Sequence, residues 1–241
     1  MNCKKKIDKF LMEVSKPTRY IGNEYNSVHK DLKNINIRFA FCFPDVYEVG
    51  MSHLGMKILY HLLNNEEDIY CERVFAPWID MEEKMRENNI PLFALETGDS
   101  IENFDFVGFT LQYEMSYSNI LNMLDLAGIT FLSEERGEDE PFVCMGGPCA
   151  YSAEALADFA DFYMLGEGEE VMIEVMDVYR KWKDSGKKRK DFLFEVSKLE
   201  GVYVPSFYDI KYNDDNTVKS ITPKYENIPK TVKKRIIKDM D

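Results

Sequence analysis

The chain is mixed in character until residue 35, where residues 35–43 (INIRFAFCF) form its first dense apolar run, the pattern of a strand buried on both faces. Leu54, Ile58, Leu59, Leu62 and Leu63 then recur at helical spacing, with Ser52 placed to cap the free N–H groups of that helix. Residues 69–75 read as a second strand. Pro77 sits where a helix start tolerates it, ahead of Trp78, Met81 and Met85, and Asn88-Asn89 closes that helix. Residues 91–95 predict a short strand, and residues 104–111 (FDFVGFTL) a central one. Ile120, Leu121, Leu124 and Ala127 mark the helix that follows, with Gly128 as its stop. Residues 141–145 and 159–165 predict two more strands, each running into a glycine turn, and a long helix spans 169–183.

Strands alternating with helices at this spacing imply right-handed crossovers and a sheet covered on both faces. The expected fold is therefore α/β, doubly wound, with a mostly parallel sheet of Rossmann or flavodoxin-like type. Residues 202–204, 207–212 and 218–221 are short strand candidates, and Asn213-Asp214-Asp215-Asn216 is a hairpin turn, so a small C-terminal β appendage follows. The chain divides into an N-terminal extension (1–34), the Rossmann-like domain (35–200), the β hairpin appendage (201–223) and a basic linker (224–241).

The 241 residues suit one main core. No apolar stretch approaches the roughly 18–20 residues of a membrane span, and the N-terminus lacks the apolar core of a signal peptide. Cys3, Cys42, Cys71, Cys144 and Cys149 are odd in number and scattered, which favours reduced thiols and a cytoplasmic setting. A net charge of −13 disfavours nucleic acid as a partner. Only the tail is basic, with Lys230, Lys233, Lys234, Arg235 and Lys238 against Glu226, a solvated connector or an interaction arm.

In such folds ligands bind outside the carboxyl ends of the strands, which here places four loops together: 44–55, 110–116, 146–149 and 166–169. None carries a Walker or G-x-G-x-x-G pattern, so their glycines offer close backbone approach without a nucleotide fingerprint. His53 begins a helix at this edge, but no second His or Cys stands at ligand spacing, which leaves a polar lining role ahead of metal ligation. Cys144 reads as core. Cys149 lines the crevice with nothing nearby to lower its pKa. Asp45, Glu48, Glu114 and Glu167 are acids at the same edge, and Glu167 with Glu169 suits the positive end of the long helix. No catalytic set and no metal-ligand set emerges from these residues.

Taken together, FCFPDVYEVGMSHLG at 41–55, FVGFTLQYEMSY at 106–117, GGPCA at 146–150 and LGEGEE at 165–170 resemble the N-terminal cobalamin-binding-type domain of radical SAM proteins. The segment KPTRYIGNE at 16–24 is similar to the opening of an uncharacterised branch of that class. The resemblance implies a cofactor-binding accessory domain that presents a corrinoid, or shapes a substrate channel, beside a radical SAM barrel. It points to Asp45, Tyr47, Glu48, Gly50, Ser52, His53, Thr110, Gln112, Glu114, Gly146, Gly147, Pro148, Gly166, Glu167 and Gly168 as the cofactor-binding positions.

Two departures qualify this expectation. The CxxxCxxC motif that would hold a [4Fe–4S] cluster and cleave S-adenosylmethionine is absent from the sequence, so the resemblance implies that both belong to a barrel beyond residue 241 and that this chain is the N-terminal part of such a protein. The histidine motif DxHxxG is also unmet: Met51-Ser52-His53-Leu54-Gly55 has no Asp at its first position and brings glycine one residue early, so cobalamin is expected without a histidine ligand. Two alternatives remain. One is an interaction module that has lost the corrinoid, and the other is a stand-alone enzyme using Cys149 or the crevice carboxylates.

Overall fold

The computed structural model describes residues 2–237. Strands β1 (Ile37–Phe43), β2 (Ile69–Phe75), β3 (Phe106–Thr110), β4 (Phe142–Gly146), β5 (Phe162–Met164) and β6 (Val202–Tyr203) form one sheet in the order β2-β1-β3-β4-β5-β6. The first five are parallel and β6 is antiparallel to β5. The run 2-1-3-4-5 is the flavodoxin-like order, with its switch point between β1 and β3. Val202 thus belongs to the main sheet, where Gly201 at φ +91° turns the chain and its carbonyl accepts the Leu165 amide at 2.7 Å. The appendage is the separate hairpin of β7 (Tyr208–Tyr212) and β8 (Val218–Pro223).

Seven helices appear among the described residues: α1 (Lys4–Ile7), α2 (Tyr47–Met51), α3 (Leu54–Asn65), α4 (Ile79–Glu87), α5 (Tyr117–Ala127), α6 (Gly168–Lys183) and α7 (Arg189–Val196). Helices α3 and α6 share one face of the sheet, tied by Arg180 of α6 to Glu66 and Asp68 at the end of the α3 connection. Helices α4 and α5 cover the other, joined by Arg86 to Asp125 and Asn122.

Sequence and structure differ at three places. Residues 91–95 do not enter the sheet; Phe93 bridges only Ser100, and the Leu95 amide donates to the Arg73 carbonyl, so the segment caps the outer edge of β2. Helix α7 lies in a stretch that showed no clear period, and it buries Phe192, Leu193 and Val196. The cap of α3 is His53, not Ser52: the Ser52 hydroxyl instead donates to the Glu48 carbonyl at 2.7 Å.

The core is organised by an in-register ladder. Phe39, Phe106 and Phe142 are neighbours across β1, β3 and β4, and successive rings stack at 5.9 and 5.7 Å. Phe192, Tyr179 and Trp182 close over this row from α6 and α7. Each such ring buried contributes about 1.5–3 kcal/mol.

Edge strand β2 is buried along its whole length, including Glu72 and Arg73. Arg38 donates to Glu72 at 2.6 Å, and Arg73 binds both Glu96 and Glu24 at 2.6 Å. Glu24 arrives from residues 2–34, which also bury Ile7, Phe10 and Tyr20 in the common core. Residues 224–237 return over the domain: Tyr225 packs on Phe194 and Phe207, Ile228 is buried, and Arg235 bridges to Gly166. Lys238 of the basic tail lies outside the described residues.

Candidate functional site

The strand register that builds the Phe ladder also makes a hollow. Along each strand every second side chain shares a face, so the row after Phe39, Phe106 and Phe142 is Phe41, Gly108 and Cys144, and the next pairs Thr110 with Gly146. Side chains shrink abruptly from one row to the next. The space left between the sheet, α3 and α6 is a cavity of about 160 Å³. Its floor is Phe39 and Phe41, its sides are Leu59, Met164 and Met172, and its rim is polar and glycine-rich. It opens at the carboxyl ends of β1 and β3, the switch point where ligands bind in this architecture. Two larger hollows of about 550 Å³ lie elsewhere, beside the hairpin and beneath residues 226–233.

The glycines of this cavity differ in what they require. A Cβ on Gly108 would fall 2.4 Å from the Phe39 ring, so packing demands glycine there. Gly147 takes φ +98° and Gly166 φ +101°, backbone that L side chains rarely adopt. Gly146 and Gly168 meet neither condition: a Cβ at either would find ordinary contacts at 3.5 Å. At these two positions the evident consequence of glycine is room in the cavity.

Three side chains form a hydrogen-bonded chain at the mouth. The Nδ1 of His53 accepts the Met56 amide at 3.1 Å, which puts the ring proton on Nε2, facing Oε1 of Gln112 at 3.0 Å. Gln112 Nε2 donates to Thr110 Oγ1 at 2.6 Å. Both nitrogens of His53 are therefore engaged.

Of the positions expected from sequence, His53, Thr110, Gln112, Gly146, Gly147, Gly166 and Gly168 come together around this cavity. Four others lie on α2 and its C-terminal turn outside this lining, and two of them turn toward the N-terminal segment. Tyr47 donates to Glu24 at 2.7 Å, and burial, then Glu24, pushes its hydroxyl up to about 12. Glu48 pairs with Lys16 and Arg19, and Lys16 above all, with Arg19, holds its carboxyl down at about 2 against the opposing effect of desolvation. Gly50 packs under the Phe75 ring, and Ser52 is held by Glu48. The remaining four stand on the surrounding loops without lining the hollow. Asp45 accepts from the Tyr113 hydroxyl, Glu114 neighbours Cys149, Pro148 opens a 3-10 turn, and the Glu167 carboxylate accepts the Ile237 amide.

The Cys149 thiol is pushed up by burial and then by Glu114, which leaves it a poor nucleophile. Among the described residues no group of three or more His, Cys, Asp or Glu could hold a metal ion, and no helix is long and apolar enough to cross a membrane.

Phe39, Phe41, Gly108, Leu59 and Met172 were not anticipated as lining residues. Their signal was Gly108, a glycine inside an otherwise apolar strand, which marks close approach of a neighbour.

Fold and site together define a doubly wound domain with a small, largely apolar notch at its switch point. The chain belongs to the family described as radical SAM proteins, N-terminal, whose model matches residues 55–205. It is also similar to the uncharacterized protein MJ0966 of Methanocaldococcus jannaschii, 26% identical over 199 residues that cover 74% of this chain and 38% of that protein. The chain therefore spans well under half the length of that relative. No solved structure matches it.

Proposed function

We propose that this domain holds a corrinoid at the switch-point cavity and presents it to a radical SAM domain. The observation that carries this reading is the pair Gly146 and Gly168, glycines that neither backbone conformation nor packing requires, both lining one apolar hollow. At about 160 Å³ the cavity is smaller than the roughly 300–1,000 Å³ of a whole-ligand pocket, so it takes one projecting part of a larger molecule whose bulk lies across the mouth. The polar chain of Thr110, Gln112 and His53 then orients that molecule at the rim.

A bound corrinoid supplies alkyl-carrier and radical chemistry through its cobalt. The residues of this chain bind and exclude water. None ligates the metal, because His53 spends one nitrogen on the α3 cap and the other on Gln112. The cluster and S-adenosylmethionine belong, in this reading, to the partner domain.

Leu54, Met115 and Tyr151 follow the strand ends on the same side of the sheet and are 68, 88 and 59% exposed. They add exposed apolar side chains to the carboxyl edge of the sheet, a feature suited to a protein partner. This favours a second reading as well, in which the domain docks against the barrel without a ligand. Gel filtration after mixing with hydroxocobalamin separates the two: the corrin absorbance travels with the protein in the first reading, and a colourless protein peak supports the second.

A further inference from the structure

The strongest feature that the ligand reading leaves unused is the return of residues 234–237 onto the cavity rim. Arg235 lies alongside Gly166 as a single bridge of parallel β type. Its amide donates to the Leu165 carbonyl at 2.8 Å, and its carbonyl accepts the Glu167 amide at 3.2 Å. Its guanidinium reaches over α6 to Glu170 at 2.6 Å and Glu174 at 2.7 Å, one turn apart on the helix whose first residue, Gly168, lines the cavity. Gly166 is shaped for this contact: a Cβ there would lie 2.2 Å from the Arg235 carbonyl oxygen.

We infer that residues 234–237 are a latch that holds the Gly166–Gly168 wall of the cavity closed, so that release of Arg235 opens the crevice. The inference rests on reading this crevice as the ligand site.

The contact has the strength a latch needs. Two backbone hydrogen bonds, the Ile237 amide on the Glu167 carboxylate and the Arg235 pairs make it, and Glu170 and Glu174 are 48 and 38% exposed, so each ion pair is a weak, screened interaction. Opening it leaves the sheet ladder between β4 and β5 intact, because that pairing ends at Met145 and Tyr163, before the wall begins. Between the Leu165 amide on Gly201 and the start of α6, residues 166–167 are held from outside by this peripheral strand, and such a rim sits at the low end of local stability and opens without global unfolding. A ligand larger than the cavity gains room at the mouth when it does.

The wall of the cavity contains its own reporter. Cys144 lines the hollow, while Cys42 is equally buried but follows Phe41 on β1 and so points to the opposite face of the sheet. N-ethylmaleimide labelling of the native protein, resolved by peptide mass spectrometry, reads the ratio of the Cys144 rate to the Cys42 rate. Arg235→Glu is expected to raise this ratio by about fivefold or more, the scale set by losing the exposed ion pairs and adding like-charge repulsion. Gly166→Ala, which expels the strand sterically, raises it too. Combining Arg235→Glu with Glu170→Lys and Glu174→Lys restores the wild-type ratio. An unchanged ratio in Arg235→Glu, whether both rates stay low or rise together, overturns the latch, as does a raised ratio that the charge swap fails to restore. No corrinoid enters the experiment, so its failure leaves the ligand reading standing.

Discussion

The Nε2 of His53 faces Oε1 of Gln112 at 3.0 Å, while Nδ1 of the same ring caps α3 through the Met56 amide. A neutral imidazole has one donor and one acceptor, and here both are used. Cobalt ligation by this ring would cost the domain a helix cap or a rim contact.

Two outcomes follow for His53. His53→Ala loses the cap and destabilises the protein by about 1 kcal/mol in urea unfolding, and His53→Asn recovers most of that loss. With hydroxocobalamin bound and reduced, the cobalt(II) electron paramagnetic resonance spectrum is the same in wild type and His53→Ala. Nitrogen hyperfine splitting present in wild type and lost in the variant would contradict this.

Gly108 and Gly146, in neighbouring rows of one face, respond oppositely to a methyl group. Gly108→Ala drives a Cβ into the Phe39 ring and costs about 1–3 kcal/mol through overpacking. Gly146→Ala places its methyl in ordinary contact, 3.5 Å from the Met164 carbonyl oxygen, and keeps wild-type stability within about 1 kcal/mol. Denaturant midpoints of the two variants measure the contrast.

The sheet was legible because its strands are apolar runs of fixed parity. The run 35–43 contains β1, the run 104–111 contains β3, and the alternation of strands with helices put the loops that follow them at one edge, whereas the sheet order that makes the switch point came from the structure. Cavity depth was not legible. It arises from register: Phe39 stands beside Phe106 but Phe41 stands beside Gly108, and no single strand carries that pairing. His53 was visible as a candidate, whereas its engagement with Gln112 joins residues 59 apart in sequence. Glu48 and Tyr47 look like crevice residues by position, yet α2 turns them toward Lys16, Arg19 and Glu24, partners supplied by the N-terminal segment. The docking of Arg235 depends on Glu170, an acid that also suits any helix N-terminus, and on Glu174 one turn further along α6.

Cys149 tests the environment of the rim. Burial and then Glu114 raise its pKa, so the thiolate fraction at pH 8 is below that of a free thiol, and alkylation is slow there. Glu114→Gln removes the charge contribution and leaves burial, so the rate at pH 8 rises while remaining below that of an unhindered thiol. A pH profile of iodoacetamide labelling at Cys149 reads both.

The Arg73–Glu96 pair is closed on nearly all sides, with 8 and 0% of the side chains exposed, and Glu24 completes it. Glu96→Ala leaves a buried guanidinium short of a partner and costs about 3–5 kcal/mol. Replacing both members, Arg73→Met with Glu96→Leu, costs less than Glu96→Ala alone, because the one charge left without its partner, Glu24, is 22% exposed and keeps the Tyr47 hydroxyl. Thermal unfolding of the three proteins orders them.

Equilibrium titration of hydroxocobalamin into wild type and Gly146→Val, each confirmed folded by thermal unfolding, bears most directly on the cavity as a corrinoid site. Saturable binding to wild type, weakened about tenfold or more by the side chain placed in the hollow, is the expected result. Absence of saturable binding to wild type, or equal affinity in both proteins, would contradict it.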